Sequence, residues 1–231
     1  MYKTIVTTSW DDGHKLDLRL AKLLKKYDLP GTFYIAPFNH ELSQKDRLTK
    51  EEILLIGKDF EIGAHTLTHQ HLSSLSKSEM YYEIVESKKY LEKLLRKKIT
   101  SFCYPYGDYN LQVEKLVEKV GFTHARTTKR YCFQKQNTYS IDTSFHTFTH
   151  ARDIHHIINF SKFNLMKIFT YRNWDVLAMD LFDNCLRTGS MFHIWGHSWE
   201  IEKNNDWKKL EKVFMHISKR KNVDYVTNGG Y

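Results

Sequence analysis

The stretch Thr4-Ile5-Val6-Thr7-Thr8-Ser9-Trp10-Asp11-Asp12-Gly13 joins a short apolar run to two adjacent carboxylates and a glycine. The apolar run predicts a strand, and the glycine marks its end. Two carboxylates this close repel each other, so the pKa of one rises unless a cation lies between them. Asp-Gly is also typical of a solvated turn. The stretch therefore has two interpretations, a polar turn or a site for a metal ion or a proton transfer.

The composition is that of an ordinary globular protein. Of the 231 residues, 41% are hydrophobic and 14% aromatic, which is enough for a full core and argues against disorder. The 35 basic and 27 acidic side chains give a net charge of +8, but the lysines are scattered along helical stretches. A scattered excess is more typical of a solvated surface than of a nucleic-acid interface, so we expect no nucleic-acid partner.

The cysteines and the N-terminal segment indicate the cellular compartment in which we expect the protein. The three cysteines show no CxxC spacing, which favours a reducing environment. No charged segment followed by an apolar run has the form of a signal peptide, and no apolar run approaches the roughly 18 residues of a membrane-spanning helix. We therefore expect a cytoplasmic protein. The sequence indicates no oligomeric state.

Apolar strand-like segments alternate with amphipathic helical segments along the chain. After the first strand, the predicted strands cover 31–36, 60–64, 99–104, 122–127, 190–197 and 223–226, with one more inside an irregular stretch at 129–150. The predicted helices cover 17–28, 49–56, 76–98, 110–120, 153–169, 174–186 and 206–219. Such alternation predicts an α/β fold, a TIM-like barrel of about seven parallel strands that forms one domain over residues 1–231.

Ionisable and polar side chains follow most of the predicted strands. In a parallel α/β barrel the carboxyl ends of the strands meet at one rim, where the active site lies. The residues delivered to this rim are Asp11, Asp12, His65, His69, Tyr106, Arg126, His193, Trp195 and His197. Their convergence favours the functional interpretation of the aspartate pair.

His65 and His69 are four residues apart, a spacing that places both imidazoles on one side of a helical turn. With one carboxylate they form a three-ligand set that leaves metal positions open for water and substrate. An HxxxH spacing alone is weak evidence. Directly after a strand, and combined with Asp-Asp-Gly, it predicts a divalent metal site.

Several motifs, in this order, resemble the polysaccharide deacetylase family, the NodB homology group or carbohydrate esterase family 4. They are Asp11-Asp12-Gly13, His65-Thr66-x-x-His69, Tyr104-Pro105-Tyr106-Gly107 and a late strand that ends in His197. The resemblance extends from Thr4 to about His197. It implies a deformed (β/α) barrel and a metal-dependent hydrolase that removes N-acetyl groups from an amino sugar or a glycan precursor.

The resemblance also implies residue roles. The implied ligands of a divalent metal ion, zinc first and cobalt or nickel otherwise, are Asp12, His65 and His69. Asp11 would be the general base and His197 the general acid, and the backbone N–H of Tyr106 would help to form an oxyanion hole. These roles agree with the needs of amide hydrolysis, which are an activated water, a stabilised oxyanion and a proton for the leaving amine.

The chain departs from the family pattern at two motifs. Family members often carry an arginine two residues before the proline of the third motif, where this chain has Cys103. That arginine orients the catalytic aspartate, and Arg126 is the candidate to replace it; a surface guanidinium is the other interpretation. The aspartate of the fourth motif, which tunes the catalytic histidine, has no clear match. Asp142 and Asp175 are the candidates.

For one histidine and four aromatic residues, the sequence leaves open whether the side chain belongs to the site or only packs in the fold. His193 shares a strand face with His197 and competes for the acid role, but His197 ends the strand and therefore reaches the rim. The aromatic residues that either stack on a sugar or simply pack are Trp10, Tyr106, Trp195 and Trp199.

Two further functions compete with N-deacetylation. A related amide hydrolase on the same barrel would remove formyl groups or open cyclic amides. A catalytically inactive barrel would only bind glycan, but it requires a broken ligand set, and Asp12, His65 and His69 are all present.

Overall fold

The computed structural model describes residues 3–134 and 137–230. Across these residues, eight strands form one parallel sheet with helices packed around it. The strands are β1 (Thr4–Trp10), β2 (Thr32–Ile35), β3 (Glu61–Ala64), β4 (Ser101–Cys103), β5 (His124–Arg126), β6 (Phe145–His146), β7 (Met191–Gly196) and β8 (Val223–Tyr225). The helices are α1 (Asp17–Lys26), α2 (Lys50–Ile56), α3 (Lys77–Leu95), α4 (Leu111–Lys119), α5 (Ile154–Phe160), α6 (Leu165–Thr170), α7 (Trp174–Thr188), α8 (Ser198–Lys203) and α9 (Trp207–Ile217).

β1 lies at the centre of the sheet, which runs in the order β5-β4-β3-β2-β1-β7-β6. β7 pairs along almost the whole of β1, from Ile5 with Met191 to Trp10 with Gly196. On the other side, β8 pairs with the start of β1 and β2 pairs with its end. β1 therefore sets the register of three neighbouring strands and delivers its carboxyl end to the middle of the rim.

The segment 141–147 lies between the two edges of the curled sheet. At its start, Ile141 forms a parallel bridge with Arg126 at the end of β5. Further along, β6 pairs with β7. The sheet is thereby curled into a deformed barrel, which confirms the predicted α/β fold class. Residues 135 and 136, within the stretch predicted to be irregular, lie outside the described residues.

Two predicted helix starts are confirmed by complete capping boxes. Thr49 and Glu52 cap α2, and Ser76 and Glu79 cap α3. In each box the hydroxyl accepts from a backbone N–H that the helix leaves unpaired, and the glutamate accepts from the N-cap N–H. These caps fix where α3 begins, and α3 carries a side chain that supports the site.

The single helix predicted over 153–169 is wrong. The structure has two short helices, α5 and α6, separated by Lys162 and Phe163, whose φ angles are 52° and 61°. These left-handed residues interrupt the helical hydrogen bonding although the apolar spacing continues through them. The six-residue helix α8 was not predicted, because it is too short to show a helical period. Among the described residues, no helix combines the length and the apolarity needed to cross a membrane.

Candidate active site

The two aspartates at the end of β1 are buried and have different partners. Asp11 Oδ2 accepts a hydrogen bond from Arg126 Nη2, whereas Asp12 Oδ2 accepts one from Trp199 Nε1 at 2.7 Å. The Oδ1 atom of each carboxylate is buried and has no hydrogen-bond partner among the described residues. Buried polar atoms are normally paired, so each aspartate keeps one oxygen available for a ligand.

Arg126 is fully buried, which excludes the interpretation as a surface guanidinium. Its guanidinium lies 4.7 Å from the centre of the Trp195 ring and donates to the Thr127 carbonyl at 3.0 Å. Burial alone would raise the pKa of Asp11, but the charges of Arg126 and of nearby histidines outweigh burial and lower it to about 2. Cys103 also contacts Asp11, with Sγ 3.8 Å from Oδ2. Asp11 is therefore held as a carboxylate.

His65 and His69 lie in an irregular loop after β3, so the predicted helical turn is wrong. The loop is ordered by Glu83 of α3, which accepts from the N–H groups of Leu67 and Thr68, both at 2.9 Å. The centres of the two imidazole rings nevertheless lie 4.8 Å apart. His65 and His69 are therefore close together, as their spacing predicts. The cause is a loop held by the Glu83 carboxylate and not a helical turn.

Asp12, His65 and His69 bring their donor atoms together. Nε2 of His69 is 3.3 Å, and Nε2 of His65 3.8 Å, from Asp12 Oδ1. The Cys103 carbonyl, 2.8 Å from Nδ1 of His65, can only accept, so His65 carries its proton on Nδ1 and leaves a lone pair on Nε2. Nδ1 of His69 is 2.9 Å from a carboxylate oxygen of Glu41. A ligand imidazole typically has such a partner on its other nitrogen.

Burial lowers the pKa of both histidines, that of His65 to about 4. Neutral imidazoles are the form that binds a metal ion. With the unpartnered Oδ1 of Asp12, these residues fit a divalent cation. A second donor group, Asp11, His65 and Cys103, is less suitable, because Arg126 pairs with Asp11 and burial raises the pKa of the Cys103 thiol.

The backbone at this rim is strained. The non-glycine residues with left-handed φ angles in the loops after β1, β3 and β4 are Asp12 (82°), Thr66 (61°), His69 (67°) and Tyr106 (58°). Such angles cost of order 1–3 kcal/mol each and cluster at functional sites. Thr66 is the most unusual of the four, because β-branched residues rarely adopt positive φ.

His197 follows β7 and precedes α8. Its Nε2 is 3.9 Å from Asp12 Oδ2, and its Nδ1 is 2.6 Å from Glu200 Oε2. Burial lowers the pKa of His197, but the carboxylates of Asp12 and Glu200 outweigh it and raise that pKa to about 9. The imidazole is therefore protonated at neutral pH and can donate a proton.

Glu200 and His146 extend this arrangement and were not identified from the sequence. His146 Nε2 is 3.1 Å from the same Glu200 oxygen, and its Nδ1 is 2.7 Å from His150 Nε2. The only sequence signal was the three-residue spacing from His197 to Glu200. His146 gave none, because it lies in the stretch predicted to be irregular. His146, His197 and Glu200 also form a third group of possible metal ligands.

Some of the residues predicted to lie at the rim line a pocket there, and others are buried in the interior of the protein. A pocket of about 370 Å³ is lined by both aspartates, by the histidines at 65, 69, 146, 150 and 197, and by Tyr106, Trp195 and Trp199 among others. His193 is fully buried below the rim with Nε2 2.8 Å from Ser9 Oγ, and it does not line the pocket. Trp10 is also fully buried and packs edge-on against Phe214.

Neither carboxylate proposed for the fourth motif is the one beside His197. Asp175 pairs with Lys212 at 3.1 Å, and Asp142 accepts from the Thr127 hydroxyl at 2.6 Å. Glu200 occupies the position next to the imidazole.

The chain is similar to curated proteins over about half its length. It is 28% identical over 120 residues to the peptidoglycan-N-acetylglucosamine deacetylase of Bacillus cereus, covering 51% of this chain and 54% of that protein. It is 29% identical over 126 residues to YxkH of Bacillus subtilis, whose name places it among polysaccharide deacetylases, covering 54% of this chain and 44% of that protein. The chain thus spans about half the length of the curated relatives it matches.

A solved structure is similar in fold. The chitin deacetylase of the fungal pathogen Colletotrichum lindemuthianum superposes with a TM-score of 0.63 at 17% identity, covering 99% of this chain and 87% of that one. The sequence model of the polysaccharide deacetylase family matches residues 2–125, more than half of the 231 residues. The chain therefore belongs to the polysaccharide deacetylase family.

Proposed function

We propose that this protein is a metal-dependent hydrolase that removes N-acetyl groups from an amino sugar or a glycan precursor. One observation carries the proposal: a single pocket holds a possible three-residue ligand set, an aspartate paired with a buried arginine and a histidine paired with a glutamate. The name of the Bacillus cereus relative, a peptidoglycan-N-acetylglucosamine deacetylase, supports an acetylated amino sugar as the substrate.

Asp12, His65 and His69 would hold the divalent cation. Two imidazoles and one carboxylate are typical ligands of catalytic zinc, with cobalt or nickel as the alternatives. When bound, such an ion lowers the pKa of a water and polarises a carbonyl group. The described side chains supply the other parts of the chemistry.

Asp11 is positioned to accept the proton of the attacking water. Its Oδ2 is paired with Arg126, which keeps it ionised, and its Oδ1 has no hydrogen-bond partner within residues 3–134 and 137–230. As the oxygen of water bonds to the acyl carbon, the carbonyl oxygen gains negative charge, which the backbone N–H of Tyr106 would stabilise. His197 then gives its proton to the amide nitrogen as the C–N bond breaks. The products are acetate and a free amino sugar.

The residues around these groups act as positioning residues. Glu200 fixes the ring of His197 through Nδ1, and the Cys103 carbonyl fixes the ring of His65. Tyr106, Trp195 and Trp199 would provide apolar surfaces for the sugar ring, because all three line the pocket.

Substitutions at the ligands and at the base should separate metal binding from turnover. Asp11→Asn should retain one metal ion per chain and lower kcat on an N-acetylglucosamine oligosaccharide by at least ~100-fold, since the general base is lost. His69→Ala should lose the metal ion, whereas the control His71→Ala, at a half-exposed neighbour, should keep it. Elemental analysis and acetate release provide the two measurements. Full activity of Asp11→Asn would refute the assigned base.

Removal of Arg126 should destabilise the protein strongly. Arg126→Met leaves the buried Asp11 charge uncompensated, so the free energy of unfolding in urea should fall by about 3–5 kcal/mol. Adding Asp11→Asn should restore part of this loss, because it removes the unpaired charge.

The matched control is Arg19→Met, which removes an exposed ion pair with Glu202 and a contact with the Trp207 ring at 4.2 Å, and should cost only about 1 kcal/mol. An equal effect of the two arginine substitutions would contradict a buried pair that holds Asp11.

Loss of Glu200 should impair proton donation to the leaving group. Glu200→Gln should lower the rate of amide deacetylation roughly 10–100-fold. Losses of this size are typical when the hydrogen-bond partner that orients a functional side chain is removed. Hydrolysis of 4-nitrophenyl acetate, whose leaving group needs no proton, should change little. The control Glu202→Gln lies on the same helix and contacts Arg19 and Trp207 instead. A parallel loss on both substrates would show that Glu200 acts on the fold or on the attacking water.

A substrate panel tests the acyl group. We expect acetate release from N-acetylated amino sugars to exceed formate release from the N-formyl analogues and opening of cyclic amides, each compared by kcat/KM. A preference for formylated or cyclic substrates would replace the proposed reaction with a related C–N hydrolysis. Glycan binding without any turnover in the metal-loaded protein would favour an inactive binding barrel.

A further inference from the structure

A group of large apolar side chains is exposed on α5, α6 and the turn between them. This apolar face consists of Ile154, Phe163, Leu165, Met166 and Phe169. Phe163, Leu165, Met166 and Phe169 have 70–82% of their surface exposed, and Ile154 50%. Large apolar side chains exposed together on neighbouring elements are typical of surfaces that contact a partner or a membrane.

The apolar face is an ordered feature. Asn164 caps α6 by accepting from the Lys167 N–H at 3.0 Å, and the Phe163 N–H donates to the Ile158 carbonyl at 3.1 Å. Phe163 has a φ of 61°, a strained angle for an aromatic residue. Its ring is nevertheless exposed to solvent and is not packed in the core.

α6 has no buried residue. Ile168 and the adjoining Tyr171 pack against the core, whereas Leu165, Met166 and Phe169 of the same short segment stay exposed. A second surface over the exposed side chains would stabilise a helix that is too short to be stable by itself in water.

The charges around the apolar face select the kind of surface. Residues 154–172 include Lys162, Lys167 and Arg172 but no aspartate or glutamate. The two lysines share a groove with Asp180 and Asp183 of α7, whose carboxylates pair with Tyr171 and His216. Apolar residues combined with basic ones are typical of segments that lie in the interface of an anionic membrane. A second copy fits less well, because a two-fold contact would bring the same cations on both subunits together.

The apolar face borders the entrance of the reaction pocket. A groove of about 580 Å³ beside it is lined by Ile154, Leu165, Phe169 and Arg172, and also by His150. His150 lines the reaction pocket as well. A membrane that contacts this face would therefore lie next to the pocket mouth.

We propose that the apolar face docks onto an anionic lipid bilayer. Phe163, Leu165 and Met166 enter the boundary between headgroups and acyl chains, while Lys162 and Lys167 contact the headgroup phosphates. The binding is peripheral, and it does not depend on the proposed hydrolytic activity.

Vesicle cosedimentation of the whole chain tests this proposal. Vesicles of phosphatidylglycerol and phosphatidylcholine should bind the protein, and pure phosphatidylcholine vesicles should bind it more weakly. The double variant F163S/M166S should lose at least about tenfold in partition coefficient, because two apolar anchors are removed. The control L111S/M215S replaces two exposed apolar residues on α4 and α9 and should bind like the wild type.

Charge reversal provides a second test. K162E/K167E should weaken binding to the anionic vesicles by about tenfold or more, since the variant replaces two cations that the anionic surface attracts with two anions that it repels. K22E/K208E, at two exposed lysines on α1 and α9, should have a smaller effect. All substituted positions are exposed, so circular dichroism should show an unchanged fold.

Three outcomes would overturn the proposal. The wild type fails to bind anionic vesicles, or the control variants lose as much binding as the face variants. In the third outcome, sedimentation velocity shows a wild-type dimer that F163S/M166S converts to a monomer, which assigns the apolar face to a second copy.

Discussion

The buried ion pair between Asp11 and Arg126 is the interaction on which the rest of the candidate site depends. Two adjacent buried carboxylates cannot both stay ionised without compensation. Arg126 compensates Asp11, and this leaves the free oxygen of Asp12 facing the imidazoles of His65 and His69. In the proposed function, the pair divides two chemically identical side chains between two tasks, Asp12 toward a cation and Asp11 toward a water.

The fold supports this division through elements far apart in the chain. β1 brings both aspartates to the centre of the rim, and β5 delivers Arg126 from the edge of the sheet. Glu83, on α3, orders the loop that carries His65 and His69. The strain at Thr66 and Asp12 is tolerated because the neighbouring hydrogen bonds and packing determine the backbone there.

Sequence reasoning recovered what depends on local patterns and missed what depends on long-range contacts. The strands, the caps at Thr49 and Ser76 and the proximity of His65 to His69 follow from residue types and spacing. Glu83 and His146 contact residues that are distant in the sequence, Leu67 and Glu200, and no local sequence pattern indicates these contacts. The break at Lys162 and Phe163 has another cause: the apolar residues keep a helical spacing across it, although some of them, such as Phe160 and Ile168, pack against the core and others, such as Leu165 and Met166, face solvent.

In the proposed function, Asp12, His65 and His69 hold a divalent cation while Asp11 stays free of it. Anomalous diffraction at the zinc edge, from crystals grown with one equivalent of zinc, locates the ion. We expect one peak within bonding distance of Asp12, His65 Nε2 and His69 Nε2, with Asp11 still paired to Arg126. A peak at His146, His197 and Glu200, or one bound to Asp11 and Cys103, would contradict this assignment.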